Sequence, residues 1–307
     1  LSGTVEYYNR TTSRLLLNVP VSSTNGITTV FRNNGEMKNS GVEISLSSRN
    51  IIAKKEQGLS WRTDANFSTL KNRITRLDNP ITSIYKREVG TDFYQFYLAG
   101  FAGADPQTGE ALWYKDATKS ATTTSYGEAQ RFNQGSALPD FYGGVTNYFS
   151  YKGFDLSFQF FYNWGNKVYD NWGPFTESDG SGGFGAGSKM SRLTYENRWQ
   201  HPGDITSVPK VVFGGTQSGL SNQASSRFLY NGSFIRLRDL MLAYSIPGIW
   251  LKKADISEIK VYVRGNNLWT YVKDKRLTMD PEVPVTGDYD QRPPVFKTFL
   301  AGLEVNF

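Results

Sequence analysis

Apolar and polar residues alternate along most of the chain with a period of two. In "FDLSFQFFYN", Phe154, Leu156, Phe158, Phe160 and Tyr162 fall on one side. Asp155, Ser157, Gln159 and Asn163 fall on the other, with Phe161 the exception. "GVEISLSS" sets Val42, Ile44 and Leu46 against Glu43, Ser45 and Ser47, and "EIKVYVRGN" sets Ile259, Val261 and Val263 against Lys260, Arg264 and Asn266. In "LSWRTDANFST", Leu59, Trp61, Ala65 and Phe67 alternate with Ser60, Arg62, Asp64, Asn66 and Ser68. Successive side chains of a β-strand point to opposite faces, so these segments read as strands with one greasy and one wet face. About ten are predicted, near residues 3–9, 39–49, 59–70, 89–103, 110–116, 141–150, 154–164, 233–246, 258–270 and 295–307.

A soluble sandwich would alternate as well, and the connections separate it from a membrane barrel. Long links at 10–38, 71–88, 117–140, 165–232 and 271–294 alternate with short ones at 50–58, 104–109, 151–153 and 247–257. In an up-and-down antiparallel sheet this rhythm places every long loop at one end. The predicted fold is therefore all-β: an antiparallel up-and-down transmembrane β-barrel with long external loops and short periplasmic turns. "YKG" at 151–153 suits a tight hairpin, "DPQTG" at 105–109 a Pro-then-Gly turn, and "PGIWLKKA" from Pro247 one helical turn. The first strand then runs outward and the last inward.

Composition sharpens this picture. Twenty Phe, 18 Tyr and 7 Trp make 15% of a chain that is only 38% hydrophobic. Aromatic girdles at the two lipid interfaces account for such an excess. Phe149, Tyr151 and Phe154 gather beside the short turn, and Tyr162, Trp164 and Tyr169 beside the longest loop. The absence of Cys excludes thiolate-ligated zinc, iron–sulfur clusters and thiol catalysis, and a lone His201 leaves little for imidazole chemistry. The net charge of +6 is scattered without a basic block, so nucleic acid is not an expected partner. No stretch approaches the 18 or more apolar residues of a membrane-spanning helix.

No enzyme constellation emerges, and no cofactor is expected. Asp155, Glu43 and Glu304 alternate with greasy residues and read as wall polarity rather than paired general acids. "GSGGFGAG", residues 180–187, lacks the Lys-Ser/Thr ending of a phosphate loop and reads as a flexible link. Asp280, Glu282, Asp288 and Asp290 crowd the last long loop as calcium candidates, at a spacing unlike an EF-hand; a solvated loop is the competing reading. Trp113, Tyr114, Trp172, Tyr195 and Trp199 fall in the external connections, where flat rings can stack on a sugar or pack on a peptide. Loops packing on themselves or on a lid protein would use the same rings.

Eight phrases together resemble the C-terminal part of a SusC/RagA-type TonB-dependent transporter: "NNGEMKNSGVEISLSSRNI", "WRTDANFSTLKNRITRL", "AGADPQTGEALWY", "LPDFYGGVTNYFSYKGFDLSFQFFYNWG", "NRWQHPGD", "SFIRLRDLMLAYSIP", "VYVRGNNLWTY" and "LAGLEVNF". They occur in family order over most of the chain. The resemblance implies a bacterial outer-membrane importer of oligosaccharides or oligopeptides, with a 22-stranded barrel around an N-terminal plug. It also implies a SusD-like lipoprotein lid and energy from the TonB complex. Residues 1–307 would be about ten strands of that barrel; no plug or TonB box is recognised in them. Phe299, Leu303, Val305 and Phe307 would face lipid, the last resembling the aromatic end read by the barrel-assembly machinery. Two other readings stand beside this one: a self-contained small barrel, closed by pairing residues 3–9 with the last strand and acting as a passive pore or adhesin, and a soluble glycan-binding β module.

Overall fold

The structure, a computed structural model, describes residues 1–22, 24, 26–55, 58–177, 180, 191–212, 220–247 and 256–306. Phe307, most of the Gly-rich stretch at 180–187 and most of the segment from Pro247 lie outside the described residues. One antiparallel sheet dominates. Its strands follow chain order: β1 (Ser2–Ser13), β2 (Glu36–Ile51), β3 (Ser60–Thr69), β4 (Phe141–Tyr151), β5 (Phe154–Trp164), β6 (Phe234–Ser245), β7 (Glu258–Val272) and β8 (Thr298–Asn306). A ninth piece, Lys71–Arg76, carries the line of β3 onward and pairs with the first part of β2.

The register turns the alternation of the sequence into two chemically distinct surfaces. One row runs Ile51, Trp61, Phe149, Leu156, Leu242, Val263, Ala301 from β2 to β8, each residue directly opposite the next. On the opposite face, Ser2, Ser47, Asp64, Thr146, Gln159, Asp239, Asn266 and Thr298 form a polar row across all eight strands. A one-residue slip at any pairing would mix the two, so the pattern itself fixes the register. The apolar face lies open: Leu46 and Leu242 are each 45% exposed and Val263 is 55% exposed. Asn147 and Thr63, polar residues on this face, satisfy each other, and Asn147 also accepts from the Trp61 indole at 2.9 Å.

Phe161, the exception in β5, points to the polar side, where the Arg238 guanidinium lies 3.9 Å from its ring centroid. Ion pairs stitch the same surface: Lys260 to Asp155 at 2.7 Å and Arg62 to Asp64 at 3.1 Å. In β8 the even positions face this side, Glu304 opposite Lys260 and Gly302 opposite Tyr262. Phe299, Leu303 and Val305 face the apolar side, opposite Gly265, Val261 and Ile259.

Between β4 and β5 the chain turns on Lys152 and Gly153, both at positive φ (49° and 83°), as a two-residue turn requires. Two of the predicted wall strands, 89–103 and 110–116, belong elsewhere. Gln95–Ala99 pairs with Arg131–Ser136, and Phe101–Ala104 pairs with Ala111–Tyr114, all within the long connection between β3 and β4. The physical reason is visible in "FYQFYLAGF". Wall strands keep one polar face, whereas here Phe96 and Leu98 on one side and Ala99 on the other are all buried. Since the misplaced strands number two, the alternation of long and short links survives. The long connections at 14–35, 77–140, 165–233 and 273–297 still share one end of the sheet.

That end forms a second layer with its own core. Tyr85, Phe96, Leu98, Ala137, Tyr169, Phe228 and Leu229 pack together, and Val168, Tyr230 and Leu277 make a neighbouring cluster. Tyr169, expected in an interfacial girdle, is 3% exposed and belongs to this core. Phe154, by contrast, is 51% exposed, and its ring lies tilted against Tyr244 with the centroids 4.5 Å apart. β1 and β8 occupy opposite ends of the sheet and do not pair, so the sheet is not closed into the small barrel considered above.

Candidate functional site

The loop layer is assembled from segments far apart in sequence. Tyr85 donates to the Thr286 carbonyl at 2.7 Å, the Phe101 amide donates to Ser226 Oγ at 2.9 Å, and Lys167–Asp170 runs parallel to Asp288–Tyr289. Arg236 of β6 anchors the layer to the wall. Its buried guanidinium meets Asp280 at 2.6 Å and Glu282 at 2.8 Å, and Glu282 also holds Arg238.

Inside this layer lies a cavity of about 710 Å³, within the range of small-molecule sites. Its lining comes from three connections: Phe101 to Gly103; Glu177, Thr194, Asn197, Ile205, Thr206, Arg227 and Tyr230; and Lys275 with Arg276. Three of these are cations and one a carboxylate. Glu177 sits at the junction: its carboxylate accepts from the Tyr230 hydroxyl at 3.2 Å, and its carbonyl accepts from Arg227. Burial raises the Glu177 carboxyl above its ordinary value, with nearby Arg227 pulling the other way. Arg227 is itself buried and donates to the Ser221 carbonyl at 3.0 Å and hydroxyl at 2.8 Å. Arg276 forks onto Asp274 at 3.0 and 2.8 Å, with its guanidinium 5.5 Å from the Tyr230 ring centroid. Lys275 caps the Tyr271 ring at 4.6 Å. The cavity can therefore offer positive charge, hydrogen-bond donors and apolar wall from Phe101, Ile205 and Val208.

The five aromatic candidates scatter around this cavity rather than lining it. Trp113 is fully buried, edge-on to Phe101 and Tyr126, so its place is in the packing of the layer and it has no face for a ligand. Tyr114 is half-buried with Lys119 5.4 Å from its ring. Trp172 donates to Asp290 at 3.0 Å and packs on Phe175. Trp199 donates to the Pro106 carbonyl at 3.1 Å, and its ring fills the space beside Gly109 where a Cβ would stand. Tyr195 is 60% exposed, with Arg198 4.1 Å above its ring. It sits on the short helix Arg192–Asn197, capped by Ser191, whose Thr194 and Asn197 do reach the cavity.

The acidic residues of the last loop turn to protein partners rather than to one another. Asp280 and Glu282 turn to Arg236, Asp288 to Thr286 and Asn171, and Asp290 to Trp172. Among the described residues no three His, Cys, Asp or Glu side chains gather as a metal site would. Sequence reasoning missed Glu177, Arg227, Tyr230 and Arg276. They carry no spacing signal; Glu177, Arg227 and Arg276 are marked only by charge inside long connections, and Tyr230 by nothing that sets it apart from the other tyrosines.

No protein-family profile matches the chain. Similarity to individual proteins is extensive. The chain is 27% identical over 337 residues to TonB-dependent receptor P3 of Formosa agariphila, covering 98% of this chain and 32% of that protein. It is 26% identical over 327 residues to TonB-dependent receptor SusC of Bacteroides thetaiotaomicron, covering 100% of this chain and 30% of that protein. Among solved structures, the RagAB peptide transporter superposes with a TM-score of 0.80 at 29% identity, over 99% of this chain and 33% of that one. The chain thus spans about a third of the length of the curated relatives it matches.

Proposed function

We propose that the chain, similar over nearly its whole length to SusC- and RagA-type TonB-dependent receptors, forms part of the wall and external loops of an outer-membrane importer. The observation that carries this reading is the two-faced sheet, apolar outside and polar inside, with every long connection gathered at one end. A surface of this kind needs lipid on its apolar side, where lone polar groups must find partners as Asn147 and Thr63 do. Energy from the TonB complex and a SusD-like lipoprotein lid over the loop layer follow from the similarity to those receptors. Barrel insertion by the assembly machinery follows likewise, with Phe299, Leu303, Val305 and Phe307 at the recognised end.

We further propose that the cargo is an oligopeptide rather than a neutral oligosaccharide. Arg227, Lys275, Arg276 and Glu177 bring both signs of charge to one cavity, which suits a chain carrying carboxylates and amines. The likeness to a peptide transporter supports the same choice. Tyr195, on the exposed rim, would stack on the peptide beside it, as would Trp172, Trp199 and Tyr114 where their faces reach solvent.

The test is uptake by cells carrying the full-length protein, with labelled peptides and neutral oligosaccharides compared. Peptide uptake that falls with Arg276→Ala, by the roughly 1.5–3 kcal/mol of a charged hydrogen bond, is expected. Uptake of oligosaccharide alone, unchanged by Arg276→Ala, contradicts the assignment.

A further inference from the structure

Three tyrosines in the wall lie directly opposite a glycine on the neighbouring strand: Tyr8 opposite Gly41, Tyr162 opposite Gly143 and Tyr262 opposite Gly302. None of these glycines has a positive φ, so backbone freedom is not the reason for them. Each lacks a Cβ because the ring occupies that space. A Cβ on Gly41 or Gly143 would stand 2.6 Å from the tyrosine oxygen, and on Gly302 it would collide with the Tyr262 ring, whose Cε1 lies at 2.6 Å. Each ring thus lies flat across its glycine.

In two cases the hydroxyl finishes its work on the strand beyond. Tyr8 of β1 reaches across β2 to donate to the Thr69 carbonyl of β3 at 3.0 Å. Tyr162 of β5 reaches across β4 to donate to the Asn66 carbonyl of β3 at 3.1 Å. Asn66 immediately precedes Phe67, the residue that pairs with Gly143. Tyr262 of β7 makes the same crossing over β8, but no strand lies beyond β8 among the described residues. We infer that Tyr262 is a seam residue: its hydroxyl donates across β8 to a main-chain carbonyl of one further strand of the same polypeptide, outside residues 1–307. By the pattern of Tyr162, the acceptor is the residue just before the one that pairs with Gly302. Curated relatives of about three times this length leave ample chain to supply such a strand. The open β8 edge offers it a full row of backbone donors and acceptors. The hydrogen bond would pin the register of the strand that pairs with β8.

The experiment is hydrogen exchange by mass spectrometry on the full-length protein in detergent or bilayer. Tyr262→Phe keeps the ring and removes the donor. Amides of residues 298–306 and of the closing strand are expected to exchange about 2- to 10-fold faster, the factor of one ordinary hydrogen bond. Tyr8→Phe, breaking the corresponding bond to Thr69, calibrates the effect within the sheet. Gly302→Ala, which denies the ring its seat, is expected to give the same acceleration if Tyr262→Phe does not assemble. Unchanged exchange at 298–306 in both variants, beside a clear response to Tyr8→Phe, overturns the inference. So does acceleration at residues 2–13 in place of an outside strand, since β1 would then be the neighbour.

Discussion

The wall and the loop layer bury their apolar residues in opposite ways. In the wall, Leu46, Leu242 and Val263 stand open on a continuous apolar face while Asp64, Gln159 and Asp239 line the other. In the loop layer, Phe96, Leu98, Trp113 and Phe228 are fully or almost fully enclosed, as in a water-soluble domain. The same aromatic-rich composition serves both. The difference is the solvent each side is built for: hydrocarbon beside the wall, water around the loops. The layers meet at Arg236, whose guanidinium is buried against Asp280 and Glu282.

Substitutions can separate the two regions. The largest effect is expected from Phe96→Ala in the loop core, a loss of about 3–5 kcal/mol. Because the wall does not share that core, limited proteolysis should cut the long connections while the barrel keeps its heat-modifiable mobility on gels. Coupled loss of both would mean the regions fold as one. Next is Leu240→Arg, at mid-strand on the apolar face opposite Phe158 and Gly265. Arginine at a bilayer midplane costs about 2–4 kcal/mol, so the assembled fraction in the membrane should drop, whereas Gln159→Arg on the polar face should be close to neutral. Equal assembly of the two variants would erase the distinction between the faces.

The smallest effect is one of pH. Burial holds the Glu177 carboxyl above its ordinary 4.5, so the folded loop layer favours the neutral form. As pH rises through 4.5 an opened loop ionises first, and the layer loses stability until the folded-state value is passed. Protection factors in residues 220–231, taken relative to the intrinsic exchange rate at each pH, should therefore fall as pH rises above about 4.5 in the wild type and fall less in Glu177→Gln. Identical pH profiles would remove Glu177 from the account.

How far the sequence speaks differs between the regions for the same reason. Wall strands have a wet and a greasy face, so β5 was legible to the residue at 154–164 and the others to within a few positions. Segments 89–103 and 110–116 look like strands and are strands in part, but their double-sided burial in the loop layer leaves no signature of which sheet they join. The candidate site was less legible still. Aromatic type drew attention to Trp113, which is packed away, while Arg227 and Glu177 meet only because one long connection folds back on itself across 50 residues. Tertiary contacts between long loops carry no period to read.

The central claim is that odd and even residues of one strand face different solvents. The 307 residues contain no Cys, so single cysteines can be placed and spin-labelled along β5 in the full-length protein reconstituted in bilayers. Labels at 156, 158 and 160 should collide with lipid-dissolved oxygen, and labels at 155, 157, 159 and 161 with a water-soluble nickel complex. The same accessibility at every position, or nickel preferred at 156, 158 and 160, would contradict it.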